Sequence, residues 1–256
     1  MNFPIKQGDN GPDVISLQQQ LIARGYGADP NGSFDNKTFD MVRVFQAENL
    51  DQNGQPLVVD GAVGPITWWS LTHPKPVIVV PAAVNFTVDP PQEAGGSAIG
   101  RAALHAAIGE LAAGAGEIGG NNRGPWVAKY LAPAKLPEGN SWCASFVSWC
   151  YLQTKGGDQT AMPIAYCPAA RGLLEELKNK GWQKTPESAY QPLPGDIVVW
   201  WRESADGWLG HTGLVYQLTE GYLYTIEGNR SPNVQGFLYV LSRMTQLLGF
   251  GHIPDA

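Results

Sequence analysis

The chain has 256 residues, 43% of them hydrophobic, enough for one large or two smaller buried cores. Its 17 basic and 23 acidic residues give a net charge of −6, which offers no electrostatic footprint for a nucleic-acid backbone or an anionic bilayer and argues against both as partners. Three cysteines, an odd number, argue against a disulfide framework and leave at least one thiol free.

Residues 1–10 contain neither a basic n-region nor an apolar h-region, and no later stretch approaches the roughly 18 apolar residues of a membrane span. The expectation is a protein made in the cytoplasm without a signal peptide and released by host lysis or a dedicated secretion machine. Residues 13–22 place Val14, Leu17, Leu21 and Ile22 on one helical stripe, and residues 38–46 do the same with Phe39, Val42 and Phe45. A third helix begins after Gly64-Pro65, with Trp68, Trp69 and Leu71 as its apolar residues and Pro74 marking its end. An internal repeat runs through this stretch: Asn31-Gly32-Ser33-Phe34 followed by Thr38-Phe39 matches Asp60-Gly61-Ala62-Val63 followed by Thr67-Trp68. Each copy reads as a glycine turn feeding a helix, with an apolar plug two places on. Residues 1–73 are therefore predicted to form a compact helical domain.

Residues 74–97 are proline-rich and close on Gly95-Gly96-Ser97, the pattern of a semi-rigid linker. The apolar run Val77 to Val80 is unusual for a solvated linker and suggests contact with a domain. Asn85-Phe86-Thr87 fits the glycosylation sequon, but nothing around it supports that use.

From residue 98 the pattern changes. An alanine-rich helix runs through Leu111, a loop surrounds Asn121-Asn122-Arg123, a short helix spans Trp126 to Leu131, and further helices carry Cys143 and residues 169–180. Strands follow at Ile197–Trp201, Thr212–Leu218, Tyr222–Glu227 and Gly236–Leu241. Helices first and antiparallel strands after them predict an α+β domain over residues 98–256.

The strands flanking Thr219-Glu220-Gly221 can be paired with Leu218 opposite Tyr222. One face then collects Tyr216 with Tyr224 and Leu214 with Ile226; the other collects Val215 with Thr225, Gly213 with Glu227, and His211 with Asn229. In that register both Glu227 and Asn229 approach His211, and Gly213 leaves space for the Glu227 carboxylate to lean toward the imidazole.

Cys143 has two readings. Its helical spacing with Phe146, Val147 and Cys150 suits a small buried core residue, whereas its place at a helix start, where unpaired N–H groups and the positive dipole end gather, suits a thiolate. A thiol nucleophile needs a histidine to hold and return its proton and a third group to fix the ring, and Cys143, His211 and Glu227 or Asn229 occur in that order. Cys150 and Cys167 read as structural, and His73, His105 and His252 as ordinary surface or core histidines. No Cys-x-x-Cys or His-x-x-x-His spacing suggests zinc, and no cofactor is expected.

The motifs Trp142-Cys-Ala-Ser-Phe-Val-Ser-Trp149, Pro194-Gly-Asp-Ile-Val198, Gly210-His-Thr-Gly-Leu-Val215 and Ile226-Glu-Gly-Asn229 resemble, in order, the CHAP family of cysteine, histidine-dependent amidohydrolases and peptidases. The resemblance implies a papain-like α+β fold and cleavage of amide bonds in bacterial peptidoglycan. It also implies Cys143 as nucleophile, His211 as acid/base, and Glu227 and Asn229 as orienting groups. Residues 4–72 resemble the small three-helix peptidoglycan-binding domain through Gly11-Pro12-Asp13-Val14, Leu17-Gln18, Gly25-Tyr26, Gly32-Ser33-Phe34, Phe45-Gln46 and Asp60-Gly61-Ala62-Val63-Gly64-Pro65.

Together these imply a wall-targeted hydrolase in which a Cys143–His211 ion pair attacks an amide, the Cys143 N–H helps hold the oxyanion, and Asn122, Arg123, Trp142 and Trp201 line the substrate groove. Bacterial peptidoglycan is the expected partner; an interbacterial effector role would add an immunity protein or a secretion-machine component. Two other readings use the same fold: a non-catalytic wall-binding protein, and a thiol acyltransferase or protein-directed peptidase. Which wall amide is cut, and whether a phage lysin or a secreted effector carries the activity, stay open at this level.

Overall fold

The computed structural model describes residues 1–52, 54–73, 84–202, 205–230 and 232–255. The chain divides into two compact units, Met1–Ala83 and Val84–Ala256.

The first unit contains α1 (Pro12–Ala23), α2 (Asn36–Glu48) and α3 (Pro65–Thr72). Proline at the first helical position starts α1 and α3, where its missing N–H costs nothing, and the Asp35 side chain caps α2 by accepting from the Thr38 N–H. Val14, Leu17, Leu21, Val42, Phe45 and Leu71 turn inward together with Ile5, Phe34, Leu57 and Val63. Ile22 does not: it is 43% exposed, because position 22 has rotated past the stripe that Leu21 closes. Pro74 and the Val77 to Val80 run lie outside the described residues.

A buried glutamine explains the internal repeat. Gln18 Oε1 accepts from the Gly32 N–H at 2.9 Å while its Nε2 donates to Asn31 Oδ1, the Ser33 carbonyl and Thr38 Oγ1. Gln46 repeats the set, accepting from the Gly61 N–H at 2.9 Å and donating to Asp60 Oδ1, the Ala62 carbonyl and Thr67 Oγ1. Each amide thus satisfies the polar backbone of a turn that would otherwise be buried without partners. Gly32 and Gly61, at φ 76° and 74°, supply the left-handed step of that turn.

The second unit opens with residues 84–97, which pack against the domain that follows. Phe86 meets Tyr216 edge-on at 5.0 Å and Tyr224 at 6.1 Å, and lies so close to Gly236 that a Cβ there would fall 2.4 Å from its ring. The Tyr216 hydroxyl donates to the carbonyls of Asn85 and Val88, and Arg101 donates to those of Pro90 and Gly95. The stretch expected as a linker therefore has a second half that belongs to the packed domain.

Four helices follow, α4 (Ala98–Ala112), α5 (Pro125–Leu131), α6 (Cys143–Gln153) and α7 (Ala170–Asn179), and then six strands: β1 (Gln183–Lys184), β2 (Ile197–Trp201), β3 (Gly210–Thr219), β4 (Tyr222–Glu227), β5 (Gln235–Val240) and β6 (Leu247–Gly251). The strands form one antiparallel sheet in the order β1-β6-β2-β3-β4-β5. The domain is α+β, as the succession of helices and strands predicts. Ile197, Val199, Leu214, Tyr216, Tyr224 and Ile226 join the helices in the main core. The alternate residues Val198, Trp200, Val215, Leu223, Phe237, Tyr239 and Phe250 build a second cluster.

The β3–β4 hairpin keeps the predicted pairs Leu214–Ile226 and Val215–Thr225 but reaches them differently. Its turn has two residues, Glu220 and Gly221 at φ 52° and 80°, and the register shifts between Val215 and Gln217. A shorter turn and a one-residue bulge at Tyr216 offset each other, so the pairs beside His211 fall where the simpler pairing puts them.

Candidate active site

His211 and Glu227 sit on the polar face of the β3–β4 hairpin, and His211 Nε2 lies 2.8 Å from Glu227 Oε2. Gly213 makes the approach possible: a Cβ there would stand 2.5 Å from Glu227 Cγ. Both side chains are inside the protein, His211 at 4% and Glu227 at 0% exposure. Because the ionised Glu227 carboxylate can only accept, the imidazole carries its proton on Nε2 and leaves Nδ1 as a lone-pair base.

Glu227 is held from its other oxygen as well. Thr225 Oγ1 and the Tyr239 hydroxyl each donate to Oε1 at 2.6 Å, and Arg230 places a guanidinium nitrogen 3.9 Å from Oε2. Burial alone would raise the Glu227 pKa; the His211 hydrogen bond, the Arg230 charge and the Thr225 hydroxyl outweigh it and bring the carboxyl down to about 2. It is therefore a fixed negative charge. Burial acts the other way on His211, lowering it to about 4 against the opposing pull of Glu227, with Arg202 lowering it further.

Trp200 pairs with His211 across β2 and β3 and stacks on the imidazole, ring centres 5.7 Å apart and planes at 28°. Tyr239 stacks on Trp200 in turn at 5.1 Å and 27°. The two aromatic rings form a continuous pile behind the histidine.

Cys143 is the first residue of α6, and that helix packs against β3. The residue is 6% exposed, and burial pushes its thiol above the ordinary pKa. The Thr212 N–H, the Arg202 charge and the Ala144 N–H oppose that rise. Thr212 follows His211, and α6 packs against the strand that carries both, so the thiol and the imidazole belong to neighbouring elements. Cys143 is thus buried at a helix start, and its raised pKa runs against the thiolate expected there. Cys150, seven residues on, is fully buried in the main core, with a pKa raised well above normal.

Asn229 does not reach His211 as the paired register predicts. β4 ends at Glu227, and Asn229 adopts φ 61°, which turns its side chain toward α6. Its Oδ1 accepts from the Trp142 N–H at 3.0 Å, while its Nδ2 donates to Asn122 Oδ1 at 2.6 Å and to Glu117 Oε1 at 3.4 Å. Glu227 contacts the imidazole, whereas Asn229 contacts the residue before Cys143.

Trp142 corrects the expected groove. It is 0% exposed, stacks on Tyr130 at 5.5 Å, and donates its indole N–H to Glu117. Its large apolar ring is more stable in the core than in water, and no face is left for a ligand. Asn122 is half-buried through its Asn229 bond, Arg123 beside it is exposed, and Trp201 is half-buried at the end of β2. Thr225 lies on the predicted polar face, whereas Tyr239, Trp200 and Arg230 join the site with no local sequence signal. The alternation of β5 could have signalled Tyr239 only with the β4–β5 register in hand.

Among the described residues, no group of three or more His, Cys, Asp or Glu side chains is placed to hold a metal ion. No helix of the described residues is long and apolar enough to cross a membrane.

Two family models match. The "CHAP domain" model matches residues 135–229 and the "Putative peptidoglycan binding domain" model matches residues 10–71. Similar solved structures include "The crystal structure of Ly7917", at 18% identity over 45% of this chain and 54% of that one, with a TM-score of 0.33. The same protein "with the hydrolyzing product of MDP" matches at 18% identity over 46% and 55%, TM-score 0.32. A Burkholderia AP3 phage endolysin matches at 27% identity over 52% and 49%, TM-score 0.25. The matched region spans about half the length of each of these chains. The chain therefore joins a member of the peptidoglycan-binding domain family, at residues 10–71, to a member of the CHAP family, at residues 135–229.

Proposed function

We propose that the chain is a peptidoglycan hydrolase that cleaves an amide bond of the bacterial wall, as an N-acetylmuramoyl-L-alanine amidase or as a stem or cross-bridge endopeptidase. The observation that carries this reading is the buried His211–Glu227 pair at 2.8 Å beside the helix that starts at Cys143, inside a CHAP domain.

In the resting site burial favours the thiol of Cys143 and the neutral form of His211, so the pair departs from the ion pair expected from sequence. The Cys143 proton moves to His211 Nδ1 as the sulfur attacks the amide carbonyl, and Glu227 stabilises the imidazolium that forms. The N–H groups at the start of α6 face the developing oxyanion. The imidazolium then gives its proton to the leaving amine, and the C–N bond breaks. Water, deprotonated by His211, attacks the thioester; its C–S bond breaks, the acid is released, and the proton returns to Cys143. Asn122, Arg123 and Trp201 remain groove residues in this proposal.

The N-terminal unit supplies wall attachment, which raises the local concentration of scissile bonds on a polymeric substrate. The site of action is then the cell wall, reached by lysis or secretion. The test is muropeptide mass spectrometry after digestion of purified peptidoglycan. New termini at a muramoyl-alanine or peptide amide, absent with Cys143→Ala, support the reading; digestion that persists in Cys143→Ala overturns it.

A further inference from the structure

Oε1 of Glu227, the oxygen remote from His211, accepts two hydroxyl donors at 2.6 Å from different strands: Thr225 in β4 and Tyr239 in β5. Thr225 is two residues from Glu227 and shares its face by simple alternation. Tyr239 is paired with Leu223 in the β4–β5 register and reaches Glu227 diagonally. Its ring simultaneously supports Trp200, which supports the imidazole. One residue therefore touches both determinants of the histidine: the carboxylate that fixes its tautomer and the indole that fixes its plane.

We propose that Tyr239 is a positioning residue for His211, acting through its hydroxyl on Glu227 and through its ring on Trp200. This rests on the reading of His211 as the acid/base of the hydrolase. Tyr239 is 4% exposed, so substrate does not meet it, and its function is exerted through these two contacts. Its phenol stays protonated, because burial and the Glu227 charge raise its pKa well above normal, and it remains a donor at any working pH. Three neutral or charged donors on a buried carboxylate hold it in one rotamer; removing one frees rotation and concentrates charge on the oxygen facing His211. The other charged or titratable groups facing this pair are Arg202 just after β2, Arg230 after β4, and Cys143 on α6.

The test uses the full chain with Tyr239→Phe, which keeps the stack and deletes the donor, and Thr225→Val, which deletes the other donor to the same oxygen. Two readouts are taken: kcat and KM on purified peptidoglycan, and the His211 tautomer and titration midpoint by nitrogen-15 NMR, assigned with His211→Gln. Tyr239→Phe is expected to lower kcat about tenfold at unchanged KM and to raise the His211 midpoint by about half a pH unit, since the carboxylate becomes more basic. Thr225→Val is expected to move the midpoint in the same direction. A Tyr239→Phe protein with a lower melting temperature but an unchanged His211 midpoint and kcat overturns the proposal. If the wild type digests no wall, the hydrolase reading fails, while a shifted midpoint in Tyr239→Phe still supports the positioning role.

Discussion

Asn229 Oδ1 accepts a hydrogen bond from the backbone N–H of Trp142 at 3.0 Å, tying the end of β4 to the residue before the candidate nucleophile. The two polar residues of Ile226-Glu-Gly-Asn229 thus act on different partners. Glu227→Gln should lower wall turnover about 100-fold or more, because the neutral amide no longer stabilises an imidazolium. It should also move the His211 titration to lower pH. Asn229→Ala should lower turnover about tenfold and cost about 1 kcal/mol of stability through the lost hydrogen bonds, with the His211 titration unchanged. Equal shifts of the His211 midpoint in both variants would contradict this division.

Gly213→Ala should inactivate without unfolding. The added Cβ would lie 2.5 Å from Glu227 Cγ and 3.1 Å from the Ile226 carbonyl. Gly213 is outside the positive-φ region, so the effect is displacement of the carboxylate and not backbone strain. At least a tenfold loss of kcat with a circular dichroism spectrum like that of the wild type is the expected result.

Gly228→Ala should act on the other partner. Its Cβ would meet the Trp142 ring at 2.4 Å and Phe146 at 3.0 Å, both in the main core. Overpacking of this kind costs about 1 to 3 kcal/mol, so the melting temperature should fall, in contrast to Gly213→Ala.

Stability should decline as the solution is acidified. The folded-state pKa of His211 lies below its usual 6.5, at about 4, so the unfolded chain binds a proton that the folded chain refuses across that window. The contribution is present above pH 6.5, is lost progressively toward pH 4, and is on the order of 3 kcal/mol. Glu227, depressed from 4.5, extends the loss at still lower pH. Denaturant melts from pH 7 to 4 should show the slope, and His211→Gln should flatten its upper part.

Truncation should distinguish linker from domain. Removing residues 1–83 leaves Phe86 and the Tyr216 hydroxyl contacts in place and should weaken wall attachment while leaving turnover of soluble muropeptides near wild type. Removing residues 1–97 also strips the Ser97 cap of α4 and uncovers Tyr216 and Tyr224, costing about 3 kcal/mol or more from the lost aromatic burial and cap. Equal loss of soluble turnover in both truncations would sink the tether idea.

The sequence carried the helices and the hairpin well because their signals are local. Alternating faces placed Glu227 beside His211, and Gly64-Pro65 marked the start of α3. β6 escaped because Gly249 and Gly251 interrupt its alternation, although its pairing with β2 accommodates them through a shifted register. Trp142 misled because a tryptophan beside a nucleophile resembles a groove wall, whereas its environment is set by Tyr130, Phe146 and Gly228, which no spacing links to it. Tyr239 stayed hidden for the same reason: its partner is chosen by the β4–β5 register, which no local pattern sets.

The paired offsets in the β3–β4 hairpin give the domain a form of mechanical insulation. The tip beyond Tyr216 has its own β3–β4 register, while the base of β3 is set by β2 and β4 is held by β5 in one unbroken register from Tyr222 to Glu227. Changes in length or composition at Glu220-Gly221 can be absorbed by the bulge before they reach the His211–Glu227 contact. The exposed tip is therefore free to diversify, or to accept an inserted peptide or label, while the chemistry at the base keeps its alignment.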